Sequence, residues 1–186
     1  VGPSGHVLAT DAAPAMLGFA EKYITSQNLT NVDFQVANFD ELKLEMKTFD
    51  AGLCRWGLMF AKDLVASLAA IRGLLRPGGS LGAIVWGPPE QAEVHSLTNR
   101  VLMRSLGLPA VDTGKGTPFG LCDREALERS FGAAGFTNIE SQVVSVVYDF
   151  SSAEEYVQYR RERSSLEKQI AHCPEEAREQ AWANVV

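Results

Sequence analysis

A carboxylate placed just beyond the end of a parallel strand accepts hydrogen bonds from both hydroxyls of a ribose, and Asp11 follows the apolar run His6 to Thr10 in that way. The same carboxylate also caps a helix, and with Pro14 three residues on, both readings of Asp11 stand from this residue alone. Arg55 and Trp56 directly follow a second apolar run that begins at Phe49. An arginine there must find an anion, a carbonyl or water, and the carboxylate of a ligand is one candidate. Trp56, Met59 and Trp86 can wall an apolar pocket or pack into a core, and Met16 can lie on a flat heterocycle or face the core from a helix. His95 and His172 can each accept a proton, although both lie on polar stretches where histidines are commonly exposed. Tyr159-Arg160-Arg161-Glu162-Arg163 alternates in charge and reads as a solvated helix face. No residue is assigned as catalytic, and the chemistry requires no metal.

The elements that position these residues alternate. His6 to Thr10 predicts a strand, and Pro14 opens a helix whose Met16, Ala20, Tyr23 and Ile24 form a core-facing stripe. Val32 to Val36 and Phe49 to Cys54 predict two further strands, and Asp40 to Thr48 carries no clear period. Leu64, Leu68, Ile71 and Leu75 mark a helix halted by Pro77-Gly78-Gly79, after which Ser80 to Trp86 reads as a strand. This alternation predicts one α/β domain with a doubly wound, mainly parallel sheet whose strands near 6–11, 32–37, 49–55 and 80–86 lie together, with ligands at their carboxyl ends. Asp11, Asn38, Arg55 and Trp86 fall at or just past those ends.

Past the Pro88-Pro89 break, Glu90 to Leu106 reads as a helix with an apolar stripe of Val94, Leu97 and Val101, and Gly107 to Gly120 as a loop. Residues 87–120 therefore look like an insertion over a cleft. Asp123 caps a helix that Gly135 ends, and Ile139 to Phe150 predicts a long sixth strand. Ser152 to Glu155 has capping-box spacing, and its helix carries Tyr156, Tyr159, Leu166 and Ile170 on one side, with a last helix opened by Pro174. The single domain thus divides into 1–86, the ligand-binding core; 87–120, the lid; 121–150, a helix and the sixth strand; and 151–186, a helical cover.

Composition narrows the partners. The 186 residues are 46% hydrophobic, enough for one core, and 17 Lys+Arg against 23 Asp+Glu leave a net charge of -6. That charge offers phosphate backbones and anionic lipid no broad attraction, so neither nucleic acid nor a membrane is an expected partner. No apolar run approaches membrane-span length. Three scattered cysteines suggest neither disulfides nor zinc and fit a reducing cytoplasm. The oligomeric state is left open, a homodimer included.

Five short motifs in order carry a resemblance. Gly5-His6-Val7-Leu8-Ala9-Thr10-Asp11 with Pro14-Ala15-Met16-Leu17, Val32 to Phe39, Phe49 to Phe60, Leu74-Leu75-Arg76-Pro77-Gly78-Gly79-Ser80-Leu81, and Ala133-Ala134-Gly135-Phe136 together resemble the ubiquinone/menaquinone-biosynthesis-type (UbiE-like) class I methyltransferases. The resemblance implies a Rossmann-like fold, S-adenosylmethionine as cofactor, and a cofactor site that includes Asp11, Ala12, Met16, Asn38, Phe39 and Arg55. Asn38 stands where the family commonly has Asp, and Phe39 supplies the backbone beside the adenine. Trp56, Met59 and Trp86 would face the methyl acceptor. The family's first strand and G-x-G-x-G loop are expected before Val1, which reads as a cut end, and its seventh strand after Val186.

The function so implied is methyl transfer to a small, largely apolar acceptor, driven by proximity and in-line orientation. A nicotinamide-dependent oxidoreductase is the first rival, since an acidic residue after the second strand is also a dinucleotide feature, but the Pro-Gly-Gly and Ala-Gly-Phe turns disfavour it. A methyltransferase-like binding subunit without catalysis is the second.

Overall fold

A computed structural model describes residues 1–44 and 47–186 of the chain; of the stretch without clear period, Glu45 and Met46 lie outside the described residues. Strand β1 (Val7–Asp11) pairs in parallel with β2 (Val32–Val36), Val7 opposite Val32 and Asp11 opposite Val36. The side chain of Asn31 fixes the entry to this pair by donating to the carbonyls of Gly5 at 2.7 Å and Gly2 at 3.1 Å. Between the strands runs α1 (Pro14–Ser26), opened by proline where its missing N–H is harmless. Leu17 is its buried residue, with Ala20 and Ile24 partly covered on the same face. Met16 and Tyr23, expected on that stripe, are 55% and 65% exposed. The correction follows from the 100° step of the helix, which carries both roughly 80–100° away from the face that Leu17, Ala20 and Ile24 share.

Strand β3 (Phe49–Arg55), helix α2 (Leu64–Leu74) and strand β4 (Leu75–Ile84) form a second pair around a crossover. Thr48 N–H bonds the carbonyl of Leu74 and Trp56 N–H that of Ile84, so the two strands advance together and are parallel. Asp63 caps α2 by accepting from Ala66 N–H at 3.0 Å. β4 begins at Leu75, not at Ser80, and so contains the Pro-Gly-Gly turn. The reason is Pro77, which pushes the residue before it out of helical geometry; the chain is already extended at Leu75, with φ -79° and ψ 142°. Gly78 then takes φ +82°, open to glycine and costly to other residues.

The four strands form two hydrogen-bonded pairs among the described residues, β1–β2 and β3–β4, where one continuous sheet was expected. Sharing an α/β alternation is not enough to join them; a sheet needs a ladder, and among the described residues none links the two pairs. The same reason corrects the expected sixth strand. Ile139 to Phe150 carries no regular secondary structure, and Val143, Val144, Val146 and Val147 are 63–79% exposed.

Among the described residues five further α-helices follow: α3 (Glu93–Ser105), α4 (Arg124–Ala133), α5 (Ala153–Arg163), α6 (Leu166–Ile170) and α7 (Glu175–Ala183). Asp123 caps α4 through Ala126 N–H, and Ser152 caps α5 through Glu155 N–H. The expected long C-terminal helix breaks at Ser164, which is extended and turns its hydroxyl back onto the carbonyl of Arg160 at 2.6 Å. Leu102, Met103, Leu166, Ile170, Ala181 and Trp182 form a buried cluster.

These elements gather into two compact units. The first comprises Val1–Leu53, Ala61–Gly82 and Ser130–Thr137; the second comprises Cys54–Phe60, Ala83–Arg129 and Asn138–Val186. Among the described residues no helix is long and apolar enough to cross a membrane.

Candidate functional site

In the first unit, the parallel register brings Asp11 and the segment Ala37 to Phe39 to neighbouring strand ends. Ala37 N–H bonds the Asp11 carbonyl at 3.1 Å, continuing the ladder one residue past β2. One carboxylate oxygen of Asp11 accepts Ala13 N–H at 2.8 Å, a turn that stiffens the approach to α1 without capping it. Asn38 caps a short 3-10 turn, Phe39–Glu41, by accepting Asp40 N–H at 2.9 Å. That bond uses its side-chain oxygen and orients the amide nitrogen as the donor end. Ala12 and Met16 are exposed, and Phe39 is partly buried. Below the turn, Asp40 accepts the Ser67 hydroxyl at 2.9 Å and Lys62 N–H at 3.2 Å, tying this strand end to the start of α2.

In the second unit, the residues that follow β3 and β4 meet. Trp56 and Trp86 stack with ring centroids 4.5 Å apart and planes 10° from parallel. Trp56 adopts φ +55°, a left-handed backbone that costs a bulky residue on the order of 1–3 kcal/mol and gathers at functional positions. Arg55 is exposed and lies over the Trp56 ring at 4.0 Å. Met59 is 2% exposed, so its side chain is used in packing within the turn Leu58–Phe60.

His95 and Trp86 meet in a T-shaped contact, with ring centroids 4.4 Å apart and planes 68° apart. Arg160, expected in water, is 4% exposed; its guanidinium donates to His95 Nδ1 at 2.6 Å, the His95 carbonyl at 3.2 Å and Asn99 Oδ1 at 3.2 Å. Burial, reinforced by the Arg160 charge, pushes the His95 imidazole down to about 4, so the ring is neutral at pH 7. Burial also lowers Arg160, in part offset by Tyr156 and Tyr159. One turn away, Tyr156 donates to the Val94 carbonyl at 3.0 Å and shares a 2.6 Å hydrogen bond with Thr98. With the phenol proton spent on Val94, Thr98 is the donor of that bond.

Sequence reasoning assigned Arg160 to solvent because its neighbours alternate in charge. Tyr156 and Arg160 are i and i+4, one helix face, and that spacing was the available signal. Their partners on α3 lie 58 to 65 residues away and have no local signature.

The predicted lid is helical as expected, but its buried positions are Ser96, Thr98, Leu102 and Met103, whereas Leu97 is 37% exposed. The stripe read from Val94, Leu97 and Val101 was thus rotated by part of a turn. Past α3 the loop edges an open cleft of about 730 Å³ lined by Phe60, Met103, Leu108, Val111, Thr117 and His172 among others. A second, of about 450 Å³, reaches Ser96 and Asn99.

Comparison with known proteins places this arrangement in context. Residues 2–83 match the methyltransferase domain family. The demethylmenaquinone methyltransferase of Lactococcus lactis is 28% identical over 151 residues, which are 76% of this chain and 60% of that protein. The chain therefore spans about 60% of that relative's length. Among solved structures, YcgJ of Bacillus subtilis superposes with a TM-score of 0.56 at 17% identity, covering 94% of this chain and 71% of the other. Phosphoethanolamine N-methyltransferase 2 of Haemonchus contortus, solved in complex with S-adenosyl-L-methionine, gives a TM-score of 0.55 at 20% identity over 97% of this chain and 38% of its own.

Proposed function

We propose, from the premise that this chain belongs to the class I methyltransferases and carries their methyltransferase domain at residues 2–83, that it binds S-adenosylmethionine and directs its methyl group to a small, largely apolar acceptor. The observation that carries the reading is the pairing of Asp11 and Asn38 at the carboxyl ends of adjacent parallel strands, where α/β folds bind ligands. The donor set fits such a cofactor. A carboxylate accepts from ribose hydroxyls, and the Asn38 amide, with its oxygen held on Asp40 N–H, offers N–H to a ring nitrogen. Ala12, Met16 and Phe39 are the apolar flanks of this strand-end site.

The cofactor, when bound, supplies an electrophilic methyl group. The chain supplies orientation, which lowers a barrier by up to ~7–11 kcal/mol when the reactants are well aligned. Trp56 and Trp86 are proposed to form the wall against which the methyl acceptor lies, with Arg55 laid over Trp56 and Met59 supporting from within. In this reading residues 1–86 form the cofactor-binding core, 87–120 the lid, 121–150 a helical and extended connection, and 151–186 the cover.

Isothermal calorimetry with S-adenosylmethionine, comparing Asp11→Ala with the unaltered protein as its gene encodes it, tests the reading. Losing a charge-assisted hydrogen bond of about 1.5–3 kcal/mol predicts a weakening of roughly 10- to 150-fold. Equal affinity in both would leave Asp11 as a turn residue only.

A further inference from the structure

Among the described residues, three side-chain N–H groups in the aromatic cluster of the second unit are buried and have no hydrogen-bond partner: Trp56 Nε1, His95 Nε2 and Arg160 Nε. Buried polar groups are normally paired, so three together are an observation to be explained. Their chemistry is uniform. An indole nitrogen and a guanidinium nitrogen are donors only. His95 is made a donor as well: guanidinium N–H has nothing to accept with, so His95 Nδ1 must accept from Arg160, and the proton of the neutral ring then sits on Nε2.

The charge is equally one-sided. Arg160 is held by His95 and Asn99, and among the described residues no carboxylate lies within ion-pair distance of it. A buried cation without an anion is costly, as is a buried donor without an acceptor. The ring faces themselves are taken, Trp56 lying between Trp86 and the Arg55 guanidinium and Trp86 against Trp56 and His95, so the orphaned N–H groups are what the cluster offers.

We propose that Trp56 and His95 are the donors of a recognition site for a small molecule bearing a hydrogen-bond-accepting oxygen, ionised oxygen preferred over neutral carbonyl, and that Arg160 is the positioning residue that fixes His95 as the Nε2–H donor. His95 is on this account a specificity residue and not a proton acceptor, which reverses the role its residue type first suggests. Only the identity of that molecule as the methyl acceptor rests on the methyltransferase reading; the donor set stands without it.

Long-range proton–nitrogen correlation spectra of the 15N-labelled 186-residue chain report both the His95 tautomer and the indole N–H of each tryptophan. The expected result is an Nε2–H tautomer at pH 7, with the Trp56 indole and His95 Nε2–H resonances shifting on titration with benzoate, shifting at higher concentration with acetophenone, and remaining still with benzylamine, which has a ring but no accepting oxygen. Acetophenone binding more tightly than benzoate would overturn the preference for an ionised oxygen. An Nδ1–H tautomer, no response to either oxygen-bearing probe, or an equal response to benzylamine would overturn the proposal.

Variants separate positioning from folding. Arg160→Met should release the tautomer and weaken benzoate at least about tenfold, His95→Leu should weaken it similarly, and His95→Gln, which keeps an N–H donor, should stay within a few-fold of the unaltered chain. Equal losses in His95→Leu and His95→Gln would argue against donation. S-adenosylmethionine calorimetry on the same samples keeps the two readings apart: cofactor bound with both oxygen-bearing probes silent sinks the recognition site alone, whereas probes bound without cofactor supports the site and counts against the methyltransferase reading.

Discussion

Trp56 and Trp86, thirty positions apart, stack with centroids 4.5 Å apart because each is the first large side chain past one strand of the parallel pair β3–β4. Trp56 N–H bonds the carbonyl of Ile84, two residues before Trp86, so the ladder itself brings the rings together. Stacked aromatic pairs contribute about 0.5–1.5 kcal/mol beyond their buried area. Trp86→Leu should therefore lower unfolding free energy in urea by about 2–3 kcal/mol, the sum of the lost stack and part of the lost apolar contact. Near-ultraviolet circular dichroism should lose the band that two parallel indoles produce. A destabilisation with that band intact would mean that the stack is not populated in solution.

His95 gives stability a pH dependence whose sign can be worked out. Its folded value of about 4 lies below the ordinary 6.5, so between those limits the unfolded chain takes up a proton that the folded chain refuses. The contribution is complete above pH 6.5 and is lost as the pH falls toward 4, below which it changes no further. Carboxylates such as Glu128 and Glu155, held low by Ser141 and Ser151, add losses of their own in acid. The difference between the unaltered chain and His95→Gln isolates the ring: urea midpoints should differ by a constant amount above pH 6.5 and converge or cross on the way to pH 4. A constant difference across that range would show that His95 protonates normally in the folded state.

Much of this architecture was readable because it is local. Val7 to Asp11 and Val32 to Val36 announce themselves by apolar, β-branched runs, Pro14 marks a helix start by its fixed φ, and Asp123 and Ser152 do so through bonds that reach three residues. The errors are those of tertiary context. Ile139 to Phe150 is rich in β-branched residues like a strand, but such a run only favours the pleat and a neighbouring backbone must use it. The charges of Tyr159 to Arg163 predict solvent, and the burial of Arg160 depends on His95 and Asn99 from a helix some sixty residues earlier. Asp11 and Asn38 were found as strand-end residues; that each also engages a nearby backbone N–H follows from their short polar side chains, which prefer such bonds wherever a turn begins.

The Pro-Gly-Gly turn inside β4 offers a sharp contrast between neighbours. Gly78 has φ +82° and open space around it, so Gly78→Ala meets backbone strain alone, about 1 kcal/mol. At Gly79 a Cβ would sit 3.0 Å from the carbonyl oxygens of Asp50 and Arg76 and 3.1 Å from Leu75 Cβ. Backbone on both sides leaves no flexible end to move aside, so Gly79→Ala must shift β4 against β3 and should cost about 2–3 kcal/mol, as overpacked sites do. Chemical denaturation of the two variants checks the order. Should Gly78→Ala prove the more harmful, steric closure of the β3–β4 pair is not what the second glycine provides.

The hydroxyls of Tyr156 and Thr98 join α5 to α3 at a point where Thr98 is 0% exposed, and their energies should be coupled in a definite way. Tyr156→Phe removes the donor to the Val94 carbonyl and the acceptor for Thr98 together. The Thr98 hydroxyl is then free to turn to the same carbonyl, four residues back on its own helix, which recovers one bond and holds the cost to about 1–1.5 kcal/mol. Thr98→Val removes a single bond and leaves Tyr156 donating to Val94, a loss of about 1 kcal/mol. The bond that the two hydroxyls share is lost in each single variant and only once in the double. The double variant should therefore cost less than the sum of the singles, with a coupling of about 0.5–1.5 kcal/mol from urea unfolding at fixed pH. Strict additivity would mean that the 2.6 Å contact carries no energy of its own, and that α5 is held to α3 by Arg160 and apolar packing alone.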